Sequence, residues 1–227
     1  MVVQIGSARI DENGKTKGGK EGDQTGREVG LQNYYNHSKG WVCLRPHNPN
    51  HAYKLAQAMR QACANEFIGY DQNQRNTLIT QLKAVGTIDR VVVPVECDCS
   101  SLVRACILQA TGKDVGNFNT ATERNTLLNS KLFYEVQYVW SSELRLGDVL
   151  VTKTKGHTVI VTYAQIREQN LGTAKVTAHS LNVRDGASTN CRIIGWLHKG
   201  QTVTIYEYNG DWARIGEDKW CSAKYLE

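Results

Sequence analysis

The stretch Val95-Glu96-Cys97-Asp98-Cys99-Ser100-Ser101-Leu102-Val103 constrains the fold most. Val91 to Val95 is β-branched and broken by Pro94, so it reads as an extended lead-in. Leu102, Val103, Cys106 and Ile107 then recur at helical spacing. Asp98 stands at the junction, where its carboxylate can accept the free N–H groups of a first helical turn. Cys99 is thereby placed in that first turn. The unpaired N–H groups there carry roughly half a positive charge. Such a field favours thiolate over thiol and can draw a cysteine from about 8.5 towards ~3.5–7.5. A histidine partner would make this cysteine a nucleophile. Cys106, on the inner face of the same helix, reads as a small buried hydrophobe.

Upstream, His51 to Phe67 shows helical period, with Ile68-Gly69-Tyr70 as its end and the glycine as a C-cap. Asn76 to Val85 is a second helix, stopped by Gly86, and Thr120 to Asn129 another. Trp41 to Arg45 reads as a short strand. The rest of residues 1–50 is rich in glycine and polar residues and reads as irregular loop. Its Gly22-Asp23-Gln24-Thr25-Gly26 run is a candidate rim of an active site. Asp11-Glu12-Asn13-Gly14 lacks the full ligand spacing of a calcium loop.

After residue 130 the pattern turns to strands. Leu132 to Val139 alternates, and Gly147 to Val151 and Gly156 to Val161 form a hairpin by pattern. His157 leads the second hairpin strand. The sequence holds five further histidines. His37, His47 and His51 fall in polar loops or at a helix start, and His179 and His198 in the C-terminal segment. His157 is therefore the best-placed base for Cys99.

Composition excludes several classes. The chain has 227 residues, a formal net charge of +5 and a pI near 8.8. No basic run with interleaved aromatics points to nucleic acid. No apolar stretch is long enough to span a bilayer, so membrane insertion is not expected. Met1 to Gly6 has no basic region followed by an apolar run, so an ordinary secretory signal is not expected and any action outside a cell would need another route of exit. Seven cysteines, an odd number, read as reduced thiols with one reactive member. Cys97-Asp98-Cys99 is too tight for a zinc or redox pair, so no metal and no cofactor is called for.

Asp98-Cys99-Ser100-Ser101-Leu102-Val103, Gly147-Asp148-Val149-Leu150 and Gly156-His157-Thr158-Val159-Ile160-Val161 together resemble the NlpC-type and CHAP-type papain-like cysteine hydrolases of bacterial peptidoglycan. The resemblance covers roughly residues 50–163. It implies an α+β, papain-like catalytic domain with Cys99 as nucleophile, His157 as base and Tyr70 lining the oxyanion site. The Gly-Asp-Gln-Thr-Gly run resembles an N-terminal portion of phage-derived wall hydrolases. Two departures stand out. Asp71-Gln72-Asn73 replaces the usual Trp-Gly-Gly. The third, orienting residue is left open among Glu168, Asn170, Asp23 and Gln24.

Residues 164–173 are polar and read as a linker. Residues 174–227 show short strands at close spacing, a small all-β barrel by pattern. Ser180 to Thr189, Asn209 to Ile215 and Trp220 to Leu226 resemble bacterial SH3-type domains. That resemblance implies binding of cell-wall peptides or polymers, with Tyr206, Tyr208 and Trp212 as candidate contacts. Trp212 and Trp220 stay open between core and platform. The reading is thus a peptidoglycan endopeptidase or amidase of endolysin type, catalytic over 1–163 and wall-binding over 174–227. A non-catalytic wall-binding protein and an acyltransferase using the same Cys/His pair are the rivals.

Overall fold

A computed structural model describes residues 3–137, 143–164, 171–216 and 218–227. The chain forms two compact units, Met1–Gln165 and Ile166–Glu227. Glu168 and Asn170, two of the candidates for the orienting role, lie outside the described residues, as does Val139.

The first unit is a mixed α+β domain. Its strands are β1 (Val3–Ala8), β2 (Val29–Asn33), β3 (Trp41–Pro46), β4 (Ile68–Tyr70), β5 (Val95–Cys97), β6 (Phe133–Val136), β7 (Val149–Thr152) and β8 (Thr158–Ala164). Its helices are α1 (Pro49–Cys63), α2 (Thr77–Val85), α3 (Cys99–Thr111) and α4 (Glu123–Asn129). Six strands make an antiparallel sheet in the order β2-β1-β8-β7-β3-β6. β4 and β5 form a separate parallel pair, with Tyr70 opposite Cys97.

Both faces of the sheet centre are covered, which is why β7 and β8 read as continuous apolar runs. Leu55, Met59, Leu102, Val103, Cys106 and Ile107 from α1 and α3 pack with Val149, Val151 and Ile160 on one face. Leu150, Val159 and Val161 join Val3, Ile5, Cys43 and Leu144 on the other. The period-2 alternation of a strand thus sends Thr158, Ile160 and Thr162 to the helix side.

The first fifty residues correct the sequence reading. Besides β3, which the pattern announced, they contain two further strands, and β1 lies inside the sheet between β2 and β8. Gly6 falls in the stretch read as loop, but it lies directly against α1. A Cβ there would stand 2.4 Å from Met59 Cγ. The end of α1 is a second correction. It starts at Pro49 behind an Asn48 N-cap that accepts the Asn50 N–H at 2.9 Å, and it ends at Cys63. Ile68-Gly69-Tyr70 is strand rather than cap. Gly69 serves close approach, since a Cβ would lie 2.4 Å from the Gly22 carbonyl oxygen.

Gly147-Asp148 has a structural role. Gly147 takes φ +79° against the Ala52 carbonyl. Asp148, with no exposed side chain, takes a forked ion pair from Arg45 at 2.8 and 2.7 Å. These contacts hold the start of β7 against α1 and β3.

The second unit is a small β-rich domain. It comprises β9 (Gly172–Lys175), β10 (Ser180–Arg184), β11 (Ile193–His198), β12 (Thr202–Ile205), β13 (Glu207–Asn209), β14 (Trp212–Gly216) and β15 (Lys219–Ser222). A five-stranded sheet β11-β10-β15-β14-β13 is accompanied by the pair β12-β9. Val176, Leu181, Val183, Leu197, Val203, Ile205, Ala213 and Cys221 fill its core. The segment read as linker is trimmed at both ends. Ala164 pairs with Val3 in the first unit, and Gly172 with Ile205 in the second. Among the described residues, no helix is long and apolar enough to cross a membrane.

Candidate functional site

The α3 start forms as its sequence dictates. Asp98 Oδ1 accepts the Ser101 N–H at 2.8 Å, and Ser101 Oγ accepts the Asp98 N–H at 2.8 Å. This reciprocal cap satisfies two orphan donors. It leaves the N–H groups of Cys99 and Ser100 as the first-turn donors outside it. Arg75 fixes Asp98 from the other side, with Nε 2.7 Å from Oδ2 and Nη2 donating to Oδ1 at 3.0 Å.

Cys99 sits 8% exposed at this start. The Thr158 backbone N–H is directed at its sulfur, and Thr158 follows His157. The residue that follows the base candidate thus reaches the nucleophile candidate, across the packing of α3 on β8. The turn that carries His157 is locked by Thr152. Thr152 Oγ1 accepts the His157 N–H at 3.0 Å, and the Thr152 N–H donates to the His157 carbonyl at 3.0 Å.

The helix-start field does not set the thiol's protonation. Burial, then the charges of Asp98 and Glu123, push Cys99 from an ordinary 9.0 up to about 12. That rise corresponds to ~4 kcal/mol, against ~0.3–2 kcal/mol for a charge at a helix terminus. The expectation of a thiolate at rest is thereby corrected. Burial, followed by the charges of His37 and Arg9, pulls His157 down to about 4. At neutral pH the resting pair is thiol and neutral imidazole.

His37 is a residue that sequence reasoning set aside. Its ring centroid lies 5.2 Å from that of Trp41, which lies 5.8 Å from Tyr35 and 6.5 Å from His157. Trp41 Nε1 donates to the Tyr35 carbonyl at 2.9 Å, fixing the group. Tyr-Tyr-x-His-x-x-x-Trp, dense in aromatics after a strand, was the available signal.

Tyr70 is 4% exposed, and its hydroxyl accepts Gln72 Nε2 at 3.0 Å. Burial, with the charges of Cys99 and Asp98, raises its phenol to about 12, so it stays a neutral donor near the thiol. The Asp71-Gln72-Asn73 departure has a local purpose. The Asp71 carboxylate accepts the N–H groups of Gly18, Asn73 and Gln74, tying the N-terminal loop to the end of β4.

Asp23 and Gln24 lie in that loop and spend their polar groups within it. Asp23 accepts the N–H groups of Thr25, Arg27 and Glu28 at 3.0, 3.2 and 3.1 Å. Gln24 Nε2 donates to the Glu21 and Gly22 carbonyls. Among the described residues neither bonds to Cys99, His157 or Tyr70. Asp11 Oδ1 accepts the Asn13 and Lys15 N–H groups, closing a turn. Among the described residues no group of three His, Cys, Asp or Glu side chains is arranged to hold a metal ion. All seven cysteines are free.

In the second unit Trp220 is 9% exposed and belongs to the interior, while Trp212 is half-buried. Tyr206 packs under the Arg214 guanidinium at 5.6 Å. Tyr208 is exposed at 57%, but Trp196 on β11, at 65%, is more so. Sequence reading passed over Trp196. The signal was the alternation Ile194, Trp196, His198, whose side chains face away from buried Leu197.

Two family models match the chain. One, described as an endolysin-like domain, covers residues 5–167. The other, described as a bacterial SH3 domain, covers residues 179–227. No curated protein and no solved structure matches it.

Proposed function

Because the chain belongs to the endolysin-like domain family over residues 5–167 and carries a bacterial SH3 domain over 179–227, we propose that it is a peptidoglycan hydrolase cleaving an amide bond of the wall peptide through Cys99 and His157. The observation that carries this reading is the Thr158 N–H directed at the Cys99 sulfur, one residue after His157. A papain-like arrangement is supported by the same elements, a capped helix bearing cysteine packed on an antiparallel strand led by histidine.

The chemistry follows from the resting protonation. His157, neutral at pH 7, takes the Cys99 proton as the sulfur attacks the amide carbonyl. The tetrahedral oxyanion forms beside the first-turn Cys99 and Ser100 N–H groups, with the Tyr70 hydroxyl as a further donor. The His157 imidazolium then protonates the leaving amine, and the C–N bond breaks to leave a thioester on Cys99. Water, deprotonated by His157, releases the acid and restores the thiol. Tyr35, His37 and Trp41 wall the site beside His157. The SH3 unit holds the enzyme on its insoluble substrate and raises effective concentration there. Trp196, Tyr206, Tyr208 and Trp212 supply its contact area.

The test is a digest of purified peptidoglycan by the full chain and by Cys99→Ala, with products identified by mass. New amine and carboxyl ends with the wild type alone support the reading and reveal the bond cut. Binding to wall without new ends would overturn it in favour of a non-catalytic role. Products carrying a joined amine would favour acyl transfer.

A further inference from the structure

Glu123 is an unusual residue to bury. It opens α4 with 0% exposure. Its Oε1 accepts the Thr158 hydroxyl at 2.6 Å, and its Oε2 is buried with no hydrogen-bond partner among the described residues. The neighbouring Arg124 turns away to Glu135 at 2.8 Å, and Arg75 is engaged by Asp98. Among the described residues this carboxyl forms no ion pair. It stands where an unpaired charge is costly.

Its partner is Thr158, whose backbone N–H is directed at the Cys99 sulfur. On the other side of His157, the Gly156 N–H donates to Thr120 Oγ1 at 3.0 Å. The short segment 120–123 therefore grips both neighbours of His157. We propose that Glu123 is a positioning residue for the Cys99–His157 pair, gripping Thr158 at the start of β8. This rests on the Cys/His reading above.

Two consequences follow. The grip sets the start of β8, and with it the direction of the Thr158 N–H and the place of His157. The proton on Glu123 sets the charge facing Cys99. The charged and titratable groups around Glu123 are Cys99 and Asp98 at the α3 start, Arg75 ahead of α2, and Arg124 with Glu135 of β6. Burial, with the charge of Asp98 adding to it, raises Glu123 to about 8 although Thr158 and Arg75 act the other way. Ionised Glu123 in turn raises the Cys99 thiol. Alkaline solution should thus create a second carboxylate against the nucleophile.

The experiment uses the full chain as wild type, Glu123→Gln, Glu123→Ala and Thr158→Val. Alkylation of Cys99 by iodoacetamide is followed by peptide mass between pH 6 and 10, beside wall cleavage at each pH. Glu123→Gln keeps an oxygen for Thr158 but cannot ionise. At pH 9 its Cys99 should alkylate roughly tenfold faster than wild type, and its cleavage should fall less between pH 7 and pH 9. Glu123→Ala and Thr158→Val should lose about tenfold or more in kcat at pH 7, and Glu123→Gln should recover most of the loss. Superimposable alkylation curves for wild type and Glu123→Gln would overturn the proposal, even if Glu123→Ala failed to fold. Wild-type turnover in Glu123→Ala would also overturn it. Failure of the Cys/His reading has a different signature, since Cys99→Ala would then go on cleaving wall.

Discussion

The two units use their polar and aromatic side chains in opposite ways. In Met1–Gln165 the groups fit for chemistry are enclosed, with Cys99 at 8% exposure and Glu123 at 0%. In Ile166–Glu227 two large aromatic side chains face water, Trp196 at 65% and Tyr208 at 57%. Burial strengthens every electrostatic interaction around a sulfur and a ring nitrogen. Exposure leaves aromatic faces free for a partner. One unit is built to control protonation and the other to offer contact area.

The sharpest way to break this contrast is at the enclosed thiol. Cys99→Ala and His157→Ala should each lower wall cleavage by roughly a thousandfold or more, as knockouts of units that act together do. Cys97→Ala is the control two residues away. Cys97 is fully buried, with Sγ 3.4 Å from the Gly69 carbonyl, so its loss should cost about 1 kcal/mol of stability and spare kcat. Equal kinetic losses at both cysteines would erase the distinction.

The buried Arg45–Asp148 pair comes next. Arg45→Met leaves Asp148 charged and unpaired in the interior, and should destabilise the first unit by ~3–5 kcal/mol. Urea unfolding measures this, and a change under 1 kcal/mol would show that the pair does not organise the start of β7.

On the exposed side, Trp196→Ala should weaken binding to purified wall about tenfold, equal to ~1.4 kcal/mol. Hydrolysis of soluble wall fragments should not change. A sedimentation assay beside soluble-substrate kinetics separates the two. An equal effect on both would mean that Trp196 supports folding rather than contact.

The smallest effect is a pH slope near neutrality. Glu123 and Glu96 are both raised to about 8 by burial foremost. In this window the folded state holds protons that the unfolded chain releases, so their contribution is present at acid pH and is lost as pH rises towards 8. Urea midpoints should therefore fall between pH 5 and pH 8, and Glu123→Gln or Glu96→Gln should flatten the fall. An unchanged slope in both variants would show that neither carboxyl holds its proton.

What the sequence determined by itself was local. Asp98 and Ser101 specify a helix start through hydrogen bonds within three residues. Gly86 and Gly112 stop helices through a backbone that side chains oppose, at φ +89° and +71°. The hairpin around His157 and the short strands after residue 171 follow from period-2 alternation. Tertiary structure decided the rest. Only a sheet partner on each side makes β1 an inner strand, because Gly6 and Ser7 break the apolar pattern that would announce it. Only pairing with β5 turns Ile68-Gly69-Tyr70 from a helix end into a strand. Cys99 has the position of a thiolate in sequence, but Asp98, Glu123 and burial make it a thiol. His37, Trp41 and Glu123 come from segments far from Cys99 and His157, and no spacing along the chain announces a contact made only when the sheet closes. Capping and periodicity act within a few residues and are legible there. Burial and charge sum over every neighbour, and those neighbours exist only in the folded chain.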